Sequence, residues 1–258
     1  MTGDVDLAAR AVRAGAAAAL AVVRGADTRD GADLGIEVKD AGPTDLVSRA
    51  DTAAEAAIVE ILAAERPGDG ILGEEGASAT GTGARRWVVD GIDGTFNFLS
   101  GIPHWCVAVG LEDDGARRAA AVYDPTADEL FAVGPGHPTT LNGTPVQIRH
   151  GRSLAQAAVT TYLRDDKIED RGAALSTLVE AIGVVRAGGA GTLELAWVAA
   201  GRVDAWVQPN PSPWDWTPGA ALVTGAGGVA TVLDGEPAWH VAGPAELVDA
   251  LAAIVPRR

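Results

Sequence analysis

Trp87-Val88-Val89-Asp90-Gly91-Ile92-Asp93-Gly94-Thr95-Phe96-Asn97-Phe98 is the stretch around which the chain is organised. The apolar run Trp87 to Val89 reads as a short buried strand. It ends at an acid, a second acid follows three residues on, and Gly94-Thr95 then opens a turn or a helix. Carboxylates at a strand end, facing the free N–H groups of a helix start, can hold cations and a phosphate side by side. Such a site needs further oxygen ligands from elsewhere in the chain.

The length of 258 residues suits one large domain or two modest ones, with room for a sizeable core. The formal net charge of −15 argues against a nucleic-acid or anionic-membrane partner, and its plain reading is solubility. An anionic substrate would then need local positive charge, most simply from bound metal. Cys106 is the sole cysteine, which excludes an intramolecular disulfide and fits a cytoplasmic location. Asp4 and Asp6 precede any apolar run, unlike the basic start of a signal peptide. The apolar run Ala14 to Val23 is about half the ~20 residues that a membrane span needs.

Moving outward from the central stretch, residues 4–24 are Ala-rich and predict a helix. Gly25 to Gly42 predicts a loop, with a short strand at Ile36-Glu37-Val38. Ala50, Ala54, Ile58, Ile61 and Leu62 share one helical face over 48–65. Ile71-Leu72 predicts a strand running into Gly73-Glu74-Glu75-Gly76, and Ser78 to Gly83 a flexible loop. Trp105–Leu111, Ala119–Tyr123 and Glu129–Val133 predict antiparallel strands, and Asn142-Gly143 a tight hairpin. Composition shifts near residue 150. Beyond it, strands at 157–161, 184–186, 203–207 and 229–233 alternate with helices at about 166–182, 191–200, 215–224 and 244–254. The chain therefore divides into an N-terminal α+β half, 1–145, and a C-terminal α/β half, 146–258.

Three groups of acids fall where a strand gives way to a loop or helix: Glu74 and Glu75, Asp90 and Asp93, and Asp215 between Trp214 and Trp216. Each acid alone reads as a helix cap or turn residue. Together they match the carboxylate set that hard divalent cations such as Mg²⁺ take. Spacing alone leaves a metal site and a scatter of caps both open. Other schemes fail. Cys106 is followed by Glu112 where a cysteine phosphatase needs Arg, and Ile92 stands where an aspartyl-phosphate enzyme needs its second Asp. The four histidines form no close pair, so a zinc site is not indicated. Gly225-Ala226-Gly227-Gly228-Val229-Ala230 matches a dinucleotide fingerprint, but it follows a helix and precedes a strand, the reverse of that motif.

The stretch from Trp87 to Phe98 resembles the first signature of the inositol monophosphatase family, Asp-Pro-x-Asp-Gly-Thr-x-Asn-Phe. Trp214-Asp215-Trp216-Thr217-Pro218-Gly219, ending in Ala226-Gly227-Gly228, resembles the second. Gly73-Glu74-Glu75 resembles an upstream Gly-Glu-Glu element, and Asp45-Leu46-Val47-Ser48-Arg49-Ala50-Asp51 resembles Asp-Leu-Val-Thr-x-x-Asp. The four matches come in family order.

The resemblance implies an α+β fold, a layered α-β-α-β-α sandwich shared with fructose-1,6-bisphosphatase, whose two halves form one catalytic unit. It implies a phosphate monoester hydrolase that uses a metal-activated water, two or three Mg²⁺ ions, lithium sensitivity and a cytoplasmic homodimer acting on a small phosphorylated metabolite. By matching positions, Glu74, Asp90, Asp93 and Asp215 would be side-chain metal ligands and Ile92 a carbonyl ligand. Thr95, with Glu74 or Asp45, would orient the water. Asp93, Gly94, Thr95, Gly189, Ala190, Gln208 and Asp215 would line the substrate site, with Gly94 and Thr95 offering N–H groups to phosphate.

Three departures stand out. Gly91 replaces the usual Pro and is expected to loosen its loop. Gly225 replaces a usual Glu. Gln208 stands where inositol-type members carry a Glu that contacts substrate hydroxyls; Gln still hydrogen-bonds a hydroxyl but carries no charge. Inositol 1-phosphate is the best single substrate expectation. Histidinol phosphate, fructose 1,6-bisphosphate and nucleotide 3′-phosphates are the alternatives. A catalytically weak relative that binds phosphorylated metabolites is the rival from another class.

Overall fold

The structure, a computed structural model, describes residues 3–25, 34–39, 46–162 and 171–255. Helix α1 (Asp4–Gly25) has acids in its first turn and Arg24 in its last, which suits the helix dipole. A short hairpin follows, β1 (Glu37–Val38) with β2 (Leu46–Val47). Helix α2 (Arg49–Glu65) begins at a capping box in which Asp51 accepts from the Ser48 backbone N–H at 2.8 Å. The predicted Asp45 lies outside the described residues, as does the start of the helix expected from 166.

An eight-stranded sheet comes next. It contains β3 (Gly70–Gly73), β4 (Ser78–Ala79), β5 (Arg85–Asp93), β6 (Cys106–Asp113), β7 (Ala116–Asp124), β8 (Glu129–Gly134), β9 (His137–Leu141) and β10 (Thr144–Pro145). Their order is β10-β9-β8-β7-β6-β5-β3-β4, with only β3 and β5 parallel. The loop expected over Ser78 to Gly83 begins instead with the edge strand β4, whose two small exposed residues carry no alternation to announce it. Helix α3 (Thr95–Leu99) follows β5 directly, and Asn142 and Gly143 turn the β9–β10 hairpin with positive φ, as expected.

The second half builds a five-stranded sheet from β11 (Ala158–Thr161), β12 (Val184–Arg186), β13 (Ala205–Pro209), β14 (Val229–Leu233) and β15 (Trp239–Gly243). Helices α4 (Arg171–Ala181), α5 (Gly191–Ala199), α6 (Pro213–Gly225) and α7 (Ala245–Ile254) connect and cover it. Strand β15 has no counterpart among the sequence expectations. It inserts between β13 and β14, antiparallel to both, so the sheet is mixed rather than a plain α/β alternation.

The cores define five layers, α-β-α-β-α. Leu7, Val12, Ile58 and Leu62 of α1 and α2 pack on Trp87, Val89, Val107 and Val109 of the large sheet. Its other face, with Ala108, Val122 and Phe131, meets α5 and α6, which also cover Trp206 and Ala242 of the small sheet. Val207 and Val241 face the opposite way, onto Leu178, Leu247 and Leu251 of α4 and α7. Helices α5 and α6 touch closely at Gly219, where any Cβ would overlap the Leu195 side chain. Gly219→Ala should therefore lower unfolding stability by about 1–3 kcal/mol in denaturant titration. A variant with wild-type stability would show that this contact yields freely.

Candidate active site

Asp90 and Asp93 are three residues apart on one strand, so a regular strand would aim them at opposite faces. A bulge prevents this. Asp90 pairs with Ala108 and Asp93 with Cys106, three steps on β5 against two on β6. Ala108 and Cys106 both face the middle helical layer, and the two aspartates point there with them. Asp215 arrives from the first turn of α6, where it also accepts from the Ser212 N–H at 3.1 Å. The three residues offer carboxylate oxygens that all lie within 4.8 Å of one another.

Asp90 is 1 % exposed, and neither of its carboxylate oxygens has a hydrogen-bond partner. A buried carboxylate without partners is costly unless a cation compensates it. Hard, all-oxygen donors in close array fit Mg²⁺. Asp93 is held differently: its Oδ2 accepts from the Thr192 N–H at 2.6 Å and the Leu193 N–H at 3.4 Å, in the first turn of α5. This fixes the side chain and leaves its other oxygen for the cluster.

Glu74 lies beyond the end of β3, outside the three-carboxylate cluster, although its charge acts on Asp90. Its Oε1 accepts from Lys39 Nζ at 2.9 Å, and Glu75 Oε1 from the same ammonium at 2.6 Å. Sequence reasoning missed Lys39; the one signal was its rarity, as one of two lysines in an acidic chain. Thr95 Oγ1 lies 2.8 Å from Asp51 Oδ1 and 3.1 Å from the Ile92 carbonyl. Among the described residues, the acid that receives the Thr95 hydroxyl is Asp51, at the far end of the motif that begins with Asp45. Asp51 closes that motif in the sequence but is given no role there; in the structure it also serves the capping box of α2.

The expected substrate loop meets the start of α3. Gly94 has φ of 96°, and a Cβ there would stand 3.2 Å from the Gly189 carbonyl, Ala190 Cβ and the His104 carbonyl. Asn97 Nδ2 donates to the Gly188 and His104 carbonyls, each at 2.8 Å, and Glu194 accepts from the Gly188 N–H at 2.7 Å. Gln208 is buried on β13, and its Oε1 has no partner. Gly91 is not a loosened loop. It is buried in the bulge, where a Cβ would come within 2.8 Å of the Asp51 carbonyl and 3.0 Å of the Glu55 nitrogen.

Burial, then the charges of Glu74, Asp93 and Asp215, push Asp90 well above the usual carboxylate range. Burial raises Asp93 to about 6 against the pull of the Thr192 N–H. Burial likewise lifts Asp51. It lifts Glu75 to about 7, in opposition to Lys39.

A family model described as the inositol monophosphatase family matches residues 5–255. The chain belongs to the inositol monophosphatase family. It is 39% identical over 204 residues to an inositol-1-monophosphatase of Rhizobium meliloti, covering 78% of this chain and 77% of that protein. It is 36% identical over 208 residues to the Nus factor SuhB of Pseudomonas aeruginosa, with coverage of 78% and 77%. Among solved structures, the extragenic suppressor protein suhB of Bartonella henselae superimposes with a TM-score of 0.84 at 31% identity, covering 96% of each chain. The inositol monophosphatase of Anabaena gives 0.81 at 28% identity, over 98% of this chain and 96% of that one. As a member of this family the chain is a phosphoric monoester hydrolase. No helix among the described residues is long and apolar enough to cross a membrane.

The raised Asp90 and Asp93 values fix the sign of a test. Their folded-state values exceed the unfolded ones, so without metal they cost stability increasingly as pH rises from about 4 through the Asp93 value of about 6. Asp90→Asn should raise the melting temperature of the chelator-treated protein at pH 7.5 and abolish the further rise that Mg²⁺ gives the wild type. An equal Mg²⁺-induced shift in both proteins would contradict this use of Asp90.

Proposed function

We propose that the chain is a Mg²⁺-dependent phosphatase that hydrolyses inositol 1-phosphate. The observation that carries this reading is the convergence of Asp90, Asp93 and Asp215, with both Asp90 oxygens unpartnered, beside the Thr95–Asp51 pair. Two or three Mg²⁺ ions, held by Glu74, Asp90, Asp93, Asp215 and the Ile92 carbonyl, would supply Lewis-acid charge beside the phosphate when bound.

The chain's own residues do the rest. The Thr95 hydroxyl, donating to Asp51, keeps its lone pairs free to accept a proton from water and so orients that water toward phosphorus. The raised Asp51 makes it a better resting place for a proton than an ordinary aspartate. The N–H groups of Gly94 and Thr95 bind phosphate oxygens. The Gly189–Ala190 loop, braced by Asn97 and Glu194, and the neutral Gln208 face the alcohol. An uncharged Gln208 suits a polyol and does little for a cationic amino alcohol such as histidinol phosphate. Support for inositol also comes from the 39% identity to a protein named inositol-1-monophosphatase. Lithium inhibition, a cytoplasmic homodimer and the two halves acting as one catalytic unit belong to the same reading.

Phosphate release from a panel of inositol 1-phosphate, histidinol phosphate, fructose 1,6-bisphosphate and a nucleotide 3′-phosphate tests it. Inositol 1-phosphate should give the highest kcat/KM, and chelation should stop release. Absence of Mg²⁺-stimulated release from every ester would overturn the reading. Asp93→Asn should abolish turnover and keep the fold. Asp51→Asn should lower kcat by about 10²–10⁴-fold, and comparable turnover in either variant would remove the assignment of that residue.

A further inference from the structure

Glu55 sits in the middle of α2, 4 % exposed, and its two carboxylate oxygens are both engaged by backbone. Its Oε2 accepts from the Glu75 N–H at 2.9 Å and its Oε1 from the Ala77 N–H at 2.8 Å. Burying a carboxylate costs several kcal/mol unless it is well satisfied, and an apolar residue would fill the space at less cost. What the carboxylate gains is a two-point hold on one turn, Glu74-Glu75-Gly76-Ala77. That turn carries Glu74.

We propose that Glu55 is a positioning residue which, from helix α2, clamps the Glu74–Ala77 turn and so aims Glu74 at the metal site. The proposal rests on the reading of Glu74 as a metal ligand. Four further observations support it. The Glu74 N–H donates to the Val89 carbonyl of β5 at 3.3 Å, and the Gly73 N–H to the Ala77 carbonyl at 2.7 Å, so the turn is tied on its other sides as well. A Cβ on Gly73 would overlap the Glu55 carboxylate, so the chain has a glycine where the clamp needs the space. Gly91 lets the α2 backbone approach β5, next to the bulge that aims Asp90 and Asp93. Asp51 and Glu55 are four residues apart, on one face of α2. One reaches Thr95 and the other reaches the Glu74 turn, so a single helix face sets the distance between the water-orienting pair and a metal ligand.

Metal binding without substrate gives the test. Glu55→Gln keeps the shape of the side chain but replaces one acceptor with an NH₂ group facing an N–H. Gly73→Ala keeps the carboxylate and displaces it. Both variants should melt lower than wild type in chelator, since one sets a donor against a buried N–H and the other displaces a buried carboxylate. At a temperature where each is folded, Mn²⁺ titration by calorimetry of the full chain should show an affinity lower by about 10–100-fold in each variant. In turnover, the Mg²⁺ concentration for half-maximal rate should rise while KM for inositol 1-phosphate at saturating Mg²⁺ stays unchanged. A purely structural role would lower the melting temperature and leave metal affinity intact. If either folded variant binds Mn²⁺ as tightly as the wild type, the clamp is refuted and the metal site stands. If the wild type binds no Mn²⁺, or binds it no better than Asp90→Asn, the metal reading itself falls and the clamp with it.

Discussion

Repulsion between carboxylates held out of water is the constraint on which the rest of this structure depends. Asp90, Asp93 and Asp215 bring oxygens within 4.8 Å of one another, and Glu74 adds its charge to the same region. Like charges at that separation in a poorly solvated place oppose each other strongly. A chain left to relax would turn these side chains outward. Here the backbone denies them that choice, and the result is a concentration of negative charge of the kind a divalent cation neutralises. A protein with a formal charge of −15 can accept an anionic substrate only through such a local reversal.

Several separate devices supply the restraint. The bulge on β5 brings both aspartates to one face, where regular pleating would split them. The first turn of α5 holds Asp93 with two N–H groups, and the capping position of α6 holds Asp215. Helix α2 supplies Asp51 to Thr95 and Glu55 to the turn that bears Glu74. Lys39 bridges Glu74 and Glu75, a tethered cation that offsets part of the repulsion in the absence of metal. The large cores on either side of the big sheet are what make these restraints stiff.

The single elements were legible because the long ones carry strong periodicity and the turns carry Gly and Asn where φ must be positive; their layering was implied only by the resemblance to the family. Spacing left a metal site and a scatter of helix caps both open for the three aspartates, because an acid at a strand or helix end serves either purpose; the resemblance to the family signatures is what grouped them. Asp51 was not singled out because one side chain serves as cap and as hydroxyl acceptor, and a sequence shows only the commoner role. Strand β15 escaped because His240 and Trp239 give no clean alternation after Glu236-Pro237, and its pairing depends on distant β13 and β14. Gly91 misled for a related reason: a glycine reads as freedom locally, yet here it permits the close approach of a helix.

Anomalous diffraction from crystals grown with Mn²⁺ and inorganic phosphate tests the central claim most directly. The account predicts a Mn²⁺ peak in contact with the Asp90 carboxylate and shared with Asp93 and Asp215, with phosphate on the side of Gly94 and Thr95. Mn²⁺ bound elsewhere, with the Asp90 oxygens still without a cation, would contradict it.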